Sequence, residues 1–324
     1  MFFDSLHREC GGNYSGLRVV VIDYFAQVTN DWDMLGVEAR GKEMKGLAKC
    51  EIVLSAPKPT VWQGPHRLTT RNYFAASNAR NTAICLAEDG YMVCVDDLTV
   101  LVPGWLAEVR KAAKEGYVVC GSYGKVMELD VSDGEIIGFK GLTEEIKTRE
   151  ELSIGRRYLA AMVDGHPIGI DSRLGQIPGD DDTECEGGWA FGCSFGAPVE
   201  ALLDVNGWDE DNDSMGGEDY CCGVMLRNKG YRLRYAPRMM TLESEEAHAE
   251  EEPFLRIIKG PSGPSDSSQR MYAWVALGVK KEGANYYGGR GLRDVRDRVL
   301  NGQPFPTCQI PEHDWRDGQA LREM

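Results

Sequence analysis

Leu17 to Phe25, LRVVVIDYF, is an unbroken β-branched run ending in an acid and two aromatics. That is the pattern of a central strand buried on both faces, with its carboxyl end reaching a ligand-bearing edge. Cys50 to Leu54, CEIVL, predicts a second strand, and residues 26–46 supply a crossover helix between the two. Residues 75–89, AASNARNTAICLAED, place Ala75, Ala79, Ala83, Ile84 and Leu86 at helical spacing, and Gly90 stands where a C-terminal cap belongs. The strand Tyr91 to Val95 follows at once. Pro103 then opens a helix with Trp105, Val109 and Ala112 on one face and Gly116 closing it, and YVVCGSYGKVMEL, residues 117–129, reads as the next strand.

This alternation predicts an α/β fold built on a mostly parallel open sheet with flanking helices, and such sheets bind ligands at the carboxyl ends of their strands. Asp23 and the pair Asp96-Asp97 fall at predicted carboxyl ends. Residues 130–188 depart from the pattern: VSDGEIIGF reads as a hairpin, and IDSRLGQIPGDDDTECEGG as a loop-rich insertion rich in Gly, Pro and acid. The GDDD run at 179–182 is expected to be a solvated loop, because a Ca²⁺ loop needs a longer, spaced set of ligands. Residues 189–237 read strand, helix, loop, helix, strand. Acidic ESEEAHAEEE then leads into a tail in which PSGPSDSSQ reads as a linker. The expected organisation is 1–129 and 189–245 as two halves of one α/β domain, 130–188 as an insertion and 246–324 as a C-terminal extension.

Composition narrows the functional classes. The 324 residues are 42% apolar, ample for a sizeable core. Lys and Arg number 36 against 51 Asp and Glu, and the resulting formal charge of −15 argues against nonspecific attraction to nucleic acid or an anionic membrane as the main activity. MFFDSLHRECGGNYSG lacks a cationic stretch followed by an apolar core, and no run approaches the roughly 18–20 apolar residues that a bilayer requires, so a cytoplasmic location is the expectation. The ten cysteines lie in apolar contexts with no CxxC pair, which predicts reduced, mostly buried thiols.

Two blocks carry a resemblance. ARNTAICLAEDGYMVCVDDLTVLVPGWL, residues 79–106, resembles the stretch of family 2 GT-A glycosyltransferases in which an "ARN" helix precedes a strand ending in an Asp-rich metal motif. SFGAPVEALLDVNGWDEDNDSMGGEDYCCGVMLRNKGYRLRYAP, residues 194–237, is similar to the acceptor half of that family, and its GGED also resembles β-1,4-galactosyltransferases. The resemblance implies a GT-A fold, a nucleoside-diphosphate sugar donor with UDP-sugars as the class, a Mn²⁺ or Mg²⁺ cofactor and a hydroxyl-bearing acceptor such as a glycan, a small molecule or a modified nucleobase.

The chemistry of the residues gives these expectations a physical basis. Expulsion of a diphosphate is stabilised by a divalent ion held by hard oxygen ligands at a strand edge, and Asp96 and Asp97 supply such oxygens. The family's motif reads Asp-x-Asp, whereas Leu98 follows Asp97 here. Two registers are therefore open: both acids as ligands, or Asp97 as ligand with Asp96 contacting ribose. A pair of carboxylates in a solvated turn is the bland alternative. His248, beyond the second block, stands where the family adds a metal-ligating histidine, although a histidine among acids also suits a solvated helix.

An inverting transfer also needs a carboxylate within about 2.6–3.2 Å of the acceptor hydroxyl. Asp219 is the candidate base and Glu218 the candidate acceptor ligand, both opening a helix after Gly216-Gly217; acids in a first turn are equally expected as partners of the helix dipole. For the nucleotide, Asp23, Tyr24 or Phe25, and Arg80 of Ala79-Arg80-Asn81 are candidates beside ordinary packing roles. Trp189 and Trp208 are either sugar platforms or core.

Rival readings lack their motifs. No GxGxxG or GxxxxGK[ST] follows the first strand, which weakens dehydrogenase, nucleotidyltransferase and P-loop readings. A noncatalytic nucleotide-sugar- or carbohydrate-binding relative stays open, as does an enzyme glycosylating a modified DNA base. The basic stretch GGRGLRDVRDR is the only support for the latter, and nucleic acid is not the favoured partner.

Overall fold

The computed structural model describes residues 1–24, 50–96, 98–140, 161–163, 166–177, 179, 181–213, 216–244, 257–258 and 272–309. Helix α1 (Phe2–Cys10) precedes a parallel pair, β1 (Arg18–Ile22) and β2 (Glu51–Ser55). After β3 (Asn72–Tyr73) come α2 (Ala76–Leu86), β4 (Tyr91–Val95), β5 (Thr99–Leu101) and α3 (Trp105–Glu115). Strand β6 (Val118–Val126) leads into the hairpin of β7 (Glu128–Ser132) and β8 (Glu135–Lys140), then β9 (Ala161–Val163), β10 (His166–Ile170) and β11 (Thr183–Glu184). Strand β12 (Ser194–Pro198), α4 (Val199–Asp204), α5 (Glu218–Asn228), β13 (Leu233–Ser244), β14 (Ile257–Ile258) and α6 (Leu292–Leu300) follow.

Strand β6 explains the architecture. Its apolar run has no polar face because both faces are covered. Val118 and Cys120 pack with Leu233 and Tyr235 of β13 and with Met225 and Leu226 of α5, while Val119 points the other way toward Trp105 and Leu106 of α3. Helix α1 closes that second layer with Leu6 and Cys10, and Glu9 caps α3 by accepting from the Gly104 and Leu106 N–H groups at 3.1 and 3.0 Å.

The main sheet is mixed, which corrects the expectation of a mostly parallel one. Strands β6 and β13 run parallel, but β12 lies antiparallel to both β4 and β6, and β5, β10 and β11 also pair antiparallel. Hydrophobic runs encode burial but not direction, so β12 read equally well as parallel. Segment 130–188 is also not wholly a loop-rich insertion, since its β10 and β11 add to β6 and β13. Asp182 of the GDDD run leaves the solvated-loop reading too: its carboxylate, 7% exposed, pairs with Lys111 at 2.5 Å and with Arg234. Those cations lie far away in sequence, so no local spacing announces them.

All ten cysteines are free thiols and nine are buried. Burial pushes Cys85 and Cys94 up to about 12, as expected for inert core thiols. No described helix is long and apolar enough to cross a membrane.

Candidate active site

Helix α2 organises the site. Asn81 clamps the loop after α4: its Nδ2 donates to the Trp208 carbonyl at 2.8 Å, and its Oδ1 accepts from the Trp208 N–H at 2.8 Å. Asp213 accepts from the Ser77 and Asn78 N–H groups at 2.7 and 3.2 Å, satisfying donors that the helix's first turn leaves over. The acids of WDEDND thus turn inward. Glu210 pairs with Lys58, both side chains fully buried, and Lys58 also donates to Asn78 at 2.6 Å. Lys280 lies 2.6 Å from Asp209 and 2.7 Å from Asp211. This acidic run is scaffold. It delivers the chain to the two acids that follow it.

Those acids meet Arg80. One guanidinium nitrogen, Nη1, donates to Glu218 Oε1 at 2.8 Å and to Asp219 Oδ1 at 2.7 Å, and Nη2 stands 3.8 Å from Asp96 Oδ1. The other Asp219 oxygen accepts from the Gly192 backbone N–H at 2.7 Å. Antiparallel β12 makes this possible. Ser194 is in register with Val95, so residues 192–193 lie beside the end of β4, where Asp96 begins. A β-carbon at Gly192 would collide with the Arg80 guanidinium, and one at Gly217, whose φ is +85°, would collide with the Tyr272 ring.

The electrostatics follow from the geometry. Burial pushes Asp219 up to about 7, the nearby Glu218 and Asp96 charges add to the rise, and Arg80 and the Gly192 N–H oppose it. A carboxyl poised near neutrality suits proton transfer. Burial also lifts the Tyr24 hydroxyl well above its ordinary range, opposed by Arg80 and reinforced by Asp96.

Of the residues singled out in the sequence, Arg80, Asp96, Glu218 and Asp219 come together. Tyr24 stands close by, its ring stacked on Phe74 at 4.6 Å and its carbonyl accepting from Gln63. Asp23 follows β1, where its N–H donates to Ser55 at 3.0 Å. Phe25, Asp97 and His248 lie outside the described residues. Trp208, 1% exposed, is core, packed edge-on against Phe195 at 5.7 Å, and Trp189 meets Tyr235 in the same way at 5.2 Å. In GGRGLRDVRDR, Arg293 is engaged by Glu200 at 2.7 Å and Arg296 by Asp89 at 2.7 Å.

Sequence reasoning missed Gly192, whose contribution is a backbone N–H and whose only signal is a glycine just before a strand. It also missed the wall beyond it. Arg173 is locked to Asp171 at 2.6 Å with its guanidinium 4.4 Å from the Phe191 ring, and Lys125 pairs with Glu243 at 3.0 Å. Burial holds the Cys193 thiol well above its usual range between these groups and Asp96. Among the described residues no three His, Cys, Asp or Glu side chains converge closely enough to hold a metal ion. The carboxylate of Asp96 is a hard oxygen donor and 37% exposed.

No protein-family model matches the chain, and no curated protein sequence matches it. Among solved structures it is similar to GalNAc-T7 with UDP, GalNAc and Mn²⁺, at 12% identity and a TM-score of 0.42, over 94% of this chain and 47% of that one. It is also similar to S. aureus TarS 1–349 in complex with UDP-GlcNAc, at 12% identity and a TM-score of 0.46, over 92% of this chain and 65% of that one. The chain thus spans less than two thirds of the length of either protein.

Proposed function

We propose that the chain is a metal-dependent inverting glycosyltransferase moving a sugar from a nucleoside-diphosphate sugar, of the UDP-sugar class, to a hydroxyl acceptor. The observation that carries this reading is the meeting of Asp96, at the end of β4, with Glu218 and Asp219, at the start of α5, around Arg80. These are the donor-side and acceptor-side acids of the two sequence blocks, and a transferase needs both at one place. The donor class rests on the resemblance of those blocks.

In this reading Asp219 accepts the acceptor's hydroxyl proton as the anomeric carbon is attacked. Its two oxygens are anchored at opposite ends, by Arg80 and by the Gly192 N–H, and each keeps lone pairs for a hydroxyl. Glu218 orients the acceptor by accepting from a neighbouring hydroxyl. Asp96 and Asp97 would hold Mn²⁺ or Mg²⁺, with His248 as a further candidate, and the ion when bound neutralises charge on the departing diphosphate. Asp23 and Tyr24 are assigned to the nucleoside. Segments 1–129 and 189–245 are the donor and acceptor halves.

A panel of nucleotide sugars, with and without Mn²⁺, scored for diphosphate release, tests the reading. Metal-dependent release from at least one donor is expected. Binding of a nucleotide sugar with no release under any condition would leave a noncatalytic binding protein instead.

A further inference from the structure

We propose that Arg80 is a positioning residue that clasps the Asp219 carboxylate between the donor and acceptor sides of the site, and does not itself bind the donor. The inference rests on the glycosyl-transfer reading for what the clasped carboxylate does, and on geometry for the clasp itself.

Arginine near a diphosphate is ordinarily read as a phosphate ligand, because its fork matches two anionic oxygens. Here one arm of the fork is already engaged by two carboxylates. Its Nη1 is shared between Glu218 and Asp219 at 2.8 and 2.7 Å, and its Nη2 faces Asp96 at 3.8 Å. The Arg80 side chain is 14% exposed, its guanidinium lies 5.9 Å from the Trp208 ring centroid, and a side chain at Gly192 would displace it. Trp208 is fixed in turn by Asn81, the next residue of α2, through paired 2.8 Å hydrogen bonds. Arg80 therefore has packing beneath it, carboxylates ahead of it and a glycine beside it. The hydrogen bonds to Glu218 and Asp219 hold it toward α5.

The consequence for Asp219 is a two-point mount. Arg80 takes Oδ1 and the Gly192 N–H takes Oδ2, so the carboxyl plane cannot rotate without breaking a charge-assisted bond. A base has to meet a hydroxyl within a few tenths of an ångström, and loss of one mount costs orientation first.

Arg80→Gln and Arg80→Lys separate this role from donor binding. If Arg80 mounts the base, Arg80→Gln lowers kcat by about 10²-fold while the donor KM stays within about threefold, and Arg80→Lys recovers part of kcat because its ammonium engages one carboxylate at a time. Arg80→Gln added to Asp219→Asn should cost almost nothing more, since the mounted group is already gone. A donor KM raised about tenfold or more with kcat intact would overturn the proposal and make Arg80 a donor ligand. Unfolding midpoints of the two single variants and the double variant supply an arm independent of turnover. Midpoint changes that simply add would refute the clasp, whereas coupling would uphold it. A wild-type chain that turns over no nucleotide sugar while its midpoints are coupled would reject the transferase reading and leave the clasp standing.

Discussion

The Gly192 backbone N–H donates to Asp219 Oδ2 at 2.7 Å, joining the turn before β12 to the first turn of α5. No side chain at 192 takes part, so the contact can be perturbed sterically while the donor atom is kept. Gly192→Ala should drive a methyl group into the Arg80 guanidinium and misalign Asp219. We expect kcat to fall by about 10-fold or more, with nucleotide affinity by calorimetry changed much less. Unaltered kcat would show that the Asp219 orientation is not set from this side.

Asp219→Asn keeps the shape of the side chain and removes the basic oxygen. Turnover should drop by about 10²–10⁴-fold, the usual worth of a general base, with donor binding largely retained. Stopped-assay diphosphate release beside equilibrium donor binding separates the two effects. Unchanged turnover would remove Asp219 from the role of base.

The same carboxyl gives opposite pH trends for activity and stability. Its folded value is pushed up to about 7 from an ordinary 3.8, chiefly by burial, so between these values the native chain holds a proton that the unfolded chain has lost. Stability from this group is therefore greatest below the unfolded value and is lost as pH rises through about 7. Activity runs the other way, its acid limb rising as Asp219 ionises. Melting profiles across that window should fall with pH more steeply for wild type than for Asp219→Asn.

Asp97→Ala should abolish metal-stimulated donor hydrolysis, and removal of divalent ions with a chelator should do the same to wild type until Mn²⁺ is restored. Full activity in the substituted chain would end the assignment of Asp97 to the metal.

The scaffold has its own test. Lys58→Met leaves Glu210 charged and buried without its cation, a defect that typically costs about 3–5 kcal/mol. The double change Lys58→Met and Glu210→Gln should regain part of the loss. Denaturant midpoints check both.

Much of the fold was legible because it is written in local periods. The strand β4 and the helix α3 with Gly116 at its end lie where hydrophobic spacing and the capping glycine put them, and helix α2 lies where its spacing does, although it stops at Leu86 with Ala87 as cap and not at Gly90. Glu218-Asp219 open α5 as the Gly-Gly pair suggested. What escaped is non-local: the direction of β12, the partners of Asp182, and the way WDEDND spends its charges on Lys58, Lys280 and the start of α2. A buried ion pair between positions 58 and 210 leaves no trace in either segment, because lysine and glutamate read as surface residues until the partner is known.

The opposed running of β12 and β4 also makes spacing a constraint in its own right. Ser194 faces Val95, and only one intervening residue separates Ser194 from the N–H that grips Asp219. Adding or deleting a single residue between Trp189 and Ser194 would either slide the strand, turning its inward side chains outward, or carry that N–H a full peptide away from α5. In a library of variants this stretch should accept some exchanges of side chain but no change of length.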